Sequence, residues 1–117
     1  MYFSILINNV KDKALSVGEE SKVKITNSKI MNSKYGLVSK DNSKIIADEI
    51  EFKEVNFVGV AFQKKNEFGP SEIVINNNNQ DIKNDQYIVD NESKIYLENG
   101  KLLSNINSNL IKEIYSN

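Results

Sequence analysis

The sequence predicts an all-β chain wound as a right-handed parallel β-helix, a β-solenoid of about five coils of ~22 residues counting partial ends. Three observations carry this: a motif recurring at fixed spacing, apolar and polar residues alternating inside it, and an Asn returning at one register. Four segments share the motif: Ser21-Lys22-Val23-Lys24-Ile25, Ser43-Lys44-Ile45-Ile46-Ala47, Ser71-Glu72-Ile73-Val74-Ile75 and Ser93-Lys94-Ile95-Tyr96-Leu97. Their serines stand 22, 28 and 22 residues apart, so one unit holds six extra residues.

Phe3, Ile5 and Ile7 alternate and read as a strand half buried from the start of the chain. Two residues after each motif Ser stands Val23, Ile45, Ile73 or Ile95, and four after stands Ile25, Ala47, Ile75 or Leu97. Such period-two alternation turns one face inward. Six after come Asn27, Glu49, Asn77 and Asn99. A corner between strands needs φ > 0, which Asn tolerates, so Asn27, Asn77 and Asn99 are the expected structural corner, their amides stacked as a ladder. Nine after come Ile30, Phe52 and Leu102, while the third unit has Gln80 there and slips two residues to Ile82. Seven before the Ser, Ala14, Gly36 and Gln86 open Leu15-Ser16-Val17, Leu37-Val38-Ser39 and Tyr87-Ile88-Val89, and the longer unit supplies Gly59-Val60-Ala61-Phe62. Each unit thus holds three short strands, each paired in parallel with its equivalent one coil on, ~4.8 Å away. Asn109 to Tyr115 has the spacing of a short amphipathic helix, and residues 107–117 are the expected end cap. The chain reads as one domain over 1–117, a fragment or terminal module of a larger protein.

Composition removes several functions. The chain has 117 residues, with 15 Lys, no Arg, 16 acidic residues and a net charge of −1. No basic face for nucleic acid follows from that balance. With no Cys, His or Trp, disulfides, zinc knuckles, thiol nucleophiles and Ser-His-Asp triads are excluded. The 18 Asn are compatible with biased coding, but bias does not place Asn at a register. No apolar run approaches the ~20 residues of a membrane span, and the start lacks a basic segment and cleavage site, so neither span nor signal peptide is expected. The compartment stays open, with a secreted or cell-surface parent protein as one setting.

Over residues 3–105 the period, the three strands per turn and the Asn corner resemble the right-handed parallel β-helix, or pectin-lyase-like, proteins. More narrowly, Lys34-Tyr35-Gly36-Leu37-Val38-Ser39-Lys40-Asp41 and Phe62-Gln63-Lys64-Lys65-Asn66-Glu67-Phe68-Gly69 look like the β-helix segment of some bacterial CotH-like spore-coat kinase proteins. The kinase part has no counterpart, since no Gly-rich phosphate loop is present. The broader resemblance implies polysaccharide cleavage, by an Arg base or by clustered Asp with His, and the chain has neither Arg nor His. The reading is therefore a non-catalytic structural or interaction module without a cofactor, the alternative being a carbohydrate-binding or polysaccharide-active module.

Four groups of residues are singled out. Glu19, Asp41 and Asn91 share an oxygen-rich register, weak metal candidates without an Asp-x-Asp-x-Asp loop, so no metal is expected. Lys22, Lys44 and Lys94, broken by Glu72, form a column that guards a sheet or meets a polyanion. The extra residues bulge as an insertion, and Lys64, Lys65, Glu67 and Phe68 are its candidate binding residues, for a glycan or a protein. The first coil, apolar and without a cap, is the expected contact for self-association or for a neighbouring domain.

Overall fold

Strand pairing follows the repeat. In the computed structural model, residues 2–4, 6–8, 12–76, 78, 80, 82–98 and 100–115 are described. The strands are β1 (Tyr2–Phe3), β2 (Leu6–Asn8), β3 (Lys13–Val17), β4 (Lys22–Lys40), β5 (Lys44–Phe62), β6 (Glu72–Asn76), β7 (Tyr87–Val89), β8 (Lys94–Leu97) and β9 (Leu102–Leu103). A helix, α1 (Ile111–Tyr115), follows a 3₁₀ turn at Ser108–Leu110. β4 pairs in parallel with β5 from Lys22↔Lys44 to Lys40↔Phe62, an offset of 22 throughout. β5 pairs with β6 and β7 at an offset of 28, and β6 with β8 at 22 again. The molecule is a parallel β-solenoid of roughly four turns, 59% strand.

Four turns replace the expected five because the chain reverses after β8. β9 runs antiparallel to it, Ile95 opposite Leu103 and Tyr96 opposite Leu102. Val89 and Ile106 then exchange both backbone hydrogen bonds at 2.8 and 2.9 Å. Leu103, 2% exposed, closes the last coil over the interior. The first coil differs too: Phe3 to Ile7 is split into β1 and β2, on successive sides. Ile7 packs against the core, while Ile5 and the side chain of Phe3 lie outside the described residues.

The corners that flank and interrupt β4 and β5 are residues with φ > 0, whereas Asn91-Glu92, at the corner before β8, have none. Asn27 (φ 47) and Glu49 (φ 58) turn the chain from the first side to the second, and Asn32 (φ 54) and Glu54 (φ 56) from the second to the third. Glu19-Glu20 and Asp41-Asn42 turn it back to the first with two such residues each. Asn77 and Asn99 lie outside the described residues. Above Asn27 the register holds Glu49, so amide does not stand on amide there. An Asn–Asn hydrogen bond joins Asn32 Nδ2 to Asn8 Oδ1 at 2.8 Å, at the second corner. Ser28 and Ser33 follow the left-handed Asn27 and Asn32, and their hydroxyls donate back across the corner to the Thr26 and Met31 carbonyls at 2.8 and 3.1 Å. The Asn-Ser pair thus turns the chain and satisfies it locally.

Two apolar layers result. Val23, Ile45, Ile73 and Ile95 belong to one continuous interior cluster with Ile25, Ile30, Phe52 and Ile75. A second cluster lies on the outer face of the third side: Val38, Val60, Ile88, Tyr35 and Phe62, covered by Ile111 and Ile114 of α1. Tyr35 and Phe57 stack there, ring centroids 5.8 Å apart. The helix therefore lies along the side of the rod, and the end is closed by residues 101–106.

Candidate functional site

The insertion is held at its root by two aspartates from successive corners. Asp41, 1% exposed, accepts the backbone N–H of Lys64 at 2.7 Å and of Lys65 at 2.8 Å through Oδ1. Asp90 Oδ2 accepts the N–H of Gln63 at 2.8 Å, while its Oδ1 accepts those of Ser93 and Glu92 at 2.7 and 3.2 Å. A carboxylate that accepts several N–H groups makes charge-assisted hydrogen bonds, which grip the loop. Inside the loop, Gln63 Nε2 donates to the carbonyls of Phe68 and Lys65, and the Phe68 N–H bonds the Lys65 carbonyl at 3.1 Å.

Lys65 Nζ pairs with the Glu19 carboxylate. That hydrogen bond and the charge of Glu19 raise the Lys65 pKa above its ordinary value. The structure thus gathers Glu19, Asp41, Lys64 and Lys65 at one corner, with Asn91 exposed beyond Asp90 in a later coil. Glu19 and Asp41 do not converge with Asn91: Asp41 is turned onto backbone N–H groups and Glu19 onto an ammonium. Among the described residues no group of three or more His, Cys, Asp or Glu is placed to hold a metal ion. Phe68 is half-buried, while Lys64, Lys65 and Glu67 are exposed.

Behind the clasp the motif serines form an interior polar column. Ser43 Oγ lies 2.7 Å from the Lys40 carbonyl, 3.0 Å from that of Val17 and 2.8 Å from Ser39 Oγ. Ser71 Oγ donates to the Phe62 carbonyl at 3.1 Å, and its N–H donates to Ser93 Oγ at 2.9 Å. Ser43, Ser71 and Ser93 are at most 3% exposed. A small hydroxyl is what a tight corner admits while still satisfying its carbonyls.

On the second side of the third coil, Gln80 stands where its equivalents form strand, and a cavity of about 210 Å³ opens beside it. Ile75, Ile82, Leu97 and Tyr87 supply apolar walls, and Asn78, Gln80 and Glu98 polar ones. Asn78 Nδ2 is buried and has no hydrogen-bond partner among the described residues. Burial pushes the Tyr87 phenol up to about 12.

The two ends of the rod are unlike. The last coil is closed by the antiparallel return described above, whereas among the described residues β1, β2 and β3 pair on one side only, with β4. A shallow hollow at that end is lined by Leu15, Val17 and Val23 with Gly18 and Ser21. Sequence reading reached this edge and the insertion. It missed Asp90 and Gln80, whose roles depend on which backbone groups the insertion and the missing strand leave open.

Fold and corners together define a parallel β-solenoid. No family model, curated protein or solved structure matches the chain. Among the described residues no helix is long and apolar enough to cross a membrane.

Proposed function

We propose that this chain is a non-catalytic β-solenoid that serves as a structural or interaction module, docking a neighbouring coil or domain along its first coil. One observation carries the reading: β8 and β7 have both edges occupied, by β6 or β5 and by the antiparallel return, while among the described residues β1 to β3 pair with β4 alone. An unpaired strand edge is a template for another chain, and a terminal repeat with an apolar interior calls for cover. Val17 and Val23 at that end keep slight exposure, at 6% and 8%, where the next coil inward leaves Ile45 at 0%. The carboxylates at the insertion support the same reading, because Asp41 and Asp90 are engaged in holding backbone. The resemblance to bacterial β-helix segments favours a larger surface or secreted protein as the setting.

Appending a copy of residues 23–44 ahead of Met1, which continues the register in which Tyr2 pairs with Lys24, tests this edge without knowledge of the natural partner. The added coil should slow hydrogen exchange of the β3 amides and raise the unfolding midpoint, because coil stability adds through neighbour contacts. Unchanged β3 exchange in a folded fusion would show that the edge does not accept a coil.

A further inference from the structure

On the first side of each coil, odd-numbered residues point into the core and even-numbered ones outward, which creates three outward columns. One is Lys22, Lys44, Glu72 and Lys94. The middle one is Lys24, Ile46, Val74 and Tyr96, and β9 extends it by setting Leu102, 49% exposed, opposite Tyr96. The third is Thr26, Asp48 and Asn76, with Glu98 at the same register one coil on. An apolar ridge of Ile46, Val74, Tyr96 and Leu102 therefore runs up a half-exposed sheet face; one flank is net positive, three lysines against Glu72, which pairs with Lys44 at 3.7 Å, and the other is net negative through Asp48 and Glu98. The third side bears a similar ridge, Val38, Val60 and Ile88, and there the chain's own α1 covers it.

We propose that the first-side face docks a second copy of this chain across a two-fold axis lying along the ridge. This goes beyond the docking edge of the first coil and does not depend on it. Charge register selects the arrangement. Lys44 and Asp48 stand two residues to either side of Ile46, so each flank lies about 6.6 Å from the ridge at ~3.3 Å per residue. A two-fold axis along the ridge exchanges the flanks while keeping each coil at its level. Lys44 then faces Asp48 of the partner subunit, Lys94 faces Glu98 of the partner subunit, and the ridge residues meet their own copies. A two-fold axis across the ridge would instead reverse the coils, setting Lys44 on Glu72 of the partner subunit but Lys22 on Lys94 of the partner subunit and leaving Asp48 and Glu98 without a facing lysine, so it satisfies fewer charges. The one like-charge meeting, Lys24 with its copy, falls at the end of the ridge beside solvent. Sheets pack about 10 Å apart, a gap that Lys and Asp or Glu side chains span together. The face measures about 19 by 17 Å at those strand spacings. An interface of that size is small, so the dimer is weak, reversible and salt-sensitive.

Sedimentation equilibrium of the full chain over a concentration series tests it, with two charge variants. Lys44→Glu with Lys94→Glu makes both flanks acidic, and Asp48→Lys with Glu98→Lys makes both basic. The wild type should dimerise and dissociate as salt rises. Each variant alone should dimerise at least tenfold more weakly, and an equimolar mixture of the two should form heterodimers at least as tight as the wild-type dimer. The mixture needs both variants folded, so its success also shows that each folds. A wild type that stays monomeric at millimolar concentration overturns the proposal, as does a mixture that stays monomeric. A wild-type dimer indifferent to both variants overturns it too and assigns the contact to another surface, the first-coil edge being the one already described.

Discussion

The side-chain amide of Gln80 stands in for a strand beside Phe52: its Oε1 accepts the Phe52 N–H at 2.7 Å and its Nε2 donates to the Phe52 carbonyl at 2.5 Å. A neighbouring parallel strand offers β5 an acceptor and a donor, and one carboxamide offers both. Gln80→Ala should therefore lower stability by about 1–2 kcal/mol, by leaving a partly buried N–H and C=O short of partners. Gln80→Glu keeps the acceptor and loses the donor, and should be no better. Urea denaturation checks both, and an alanine variant matching wild type would show that water replaces the amide without loss.

The corners make a prediction of opposite sign. Glu49 and Glu54 sit at φ 58 and 56, a conformation that crowds Cβ of an ordinary residue by ~1–2 kcal/mol and that Asn bears more easily. Glu49→Asn and Glu54→Asn should each stabilise, by up to about 1 kcal/mol, and Asn27→Ala should destabilise by about 1 kcal/mol. Thermal melts would contradict the corner account if the Asn substitutions lowered the midpoint.

Asp41 governs the insertion. In Asp41→Ala the N–H groups of Lys64 and Lys65 lose their acceptor, and the loop should loosen without the solenoid unfolding. Trypsin cleavage after Lys64 and Lys65 should accelerate, and their amides should exchange faster. Asp41→Asn retains an oxygen acceptor and tolerates the same φ, so it should restore most of the protection. Equal cleavage rates in wild type and the alanine variant would remove Asp41 as the clasp.

Tyr87 sets an alkaline limit. Its phenol titrates at about 12 in the folded chain against an ordinary 10.0, because burial disfavours the phenolate. The folded state thus holds the proton more tightly than the unfolded one. Its contribution is fully present below pH 10 and is lost as pH rises through about 12. Unfolding midpoints measured from pH 8 to 12 should fall less steeply in Tyr87→Phe, and identical slopes would count against a buried phenol.

Much of this was legible because a solenoid writes its geometry into spacing. Ser-x-Val or Ser-x-Ile at 22, 28 and 22 places Val23, Ile45, Ile73 and Ile95 in one column, and the six extra residues mark the insertion. The other corners were hidden because position, and not residue type, imposes φ > 0: Glu54 and Glu20 do there what Asn32 and Asn42 do elsewhere. The cover over the third side had a signal that went unused. Val38, Val60 and Ile88 sit inside continuous apolar runs, which is how a strand buried on both faces reads. Gln80 showed only as a break in the apolar register and Asp90 not at all, since their partners are backbone groups exposed only by the folded chain.

Stacking of coils is the claim on which the rest stands, and methyl–methyl nuclear Overhauser contacts in a labelled sample test it most directly. Contacts should link Val23 to Ile45, Ile45 to Ile73 and Ile73 to Ile95, at separations of 22, 28 and 22 residues. A hairpin ladder, in which each step forward on one strand is a step back on its neighbour, would contradict the solenoid.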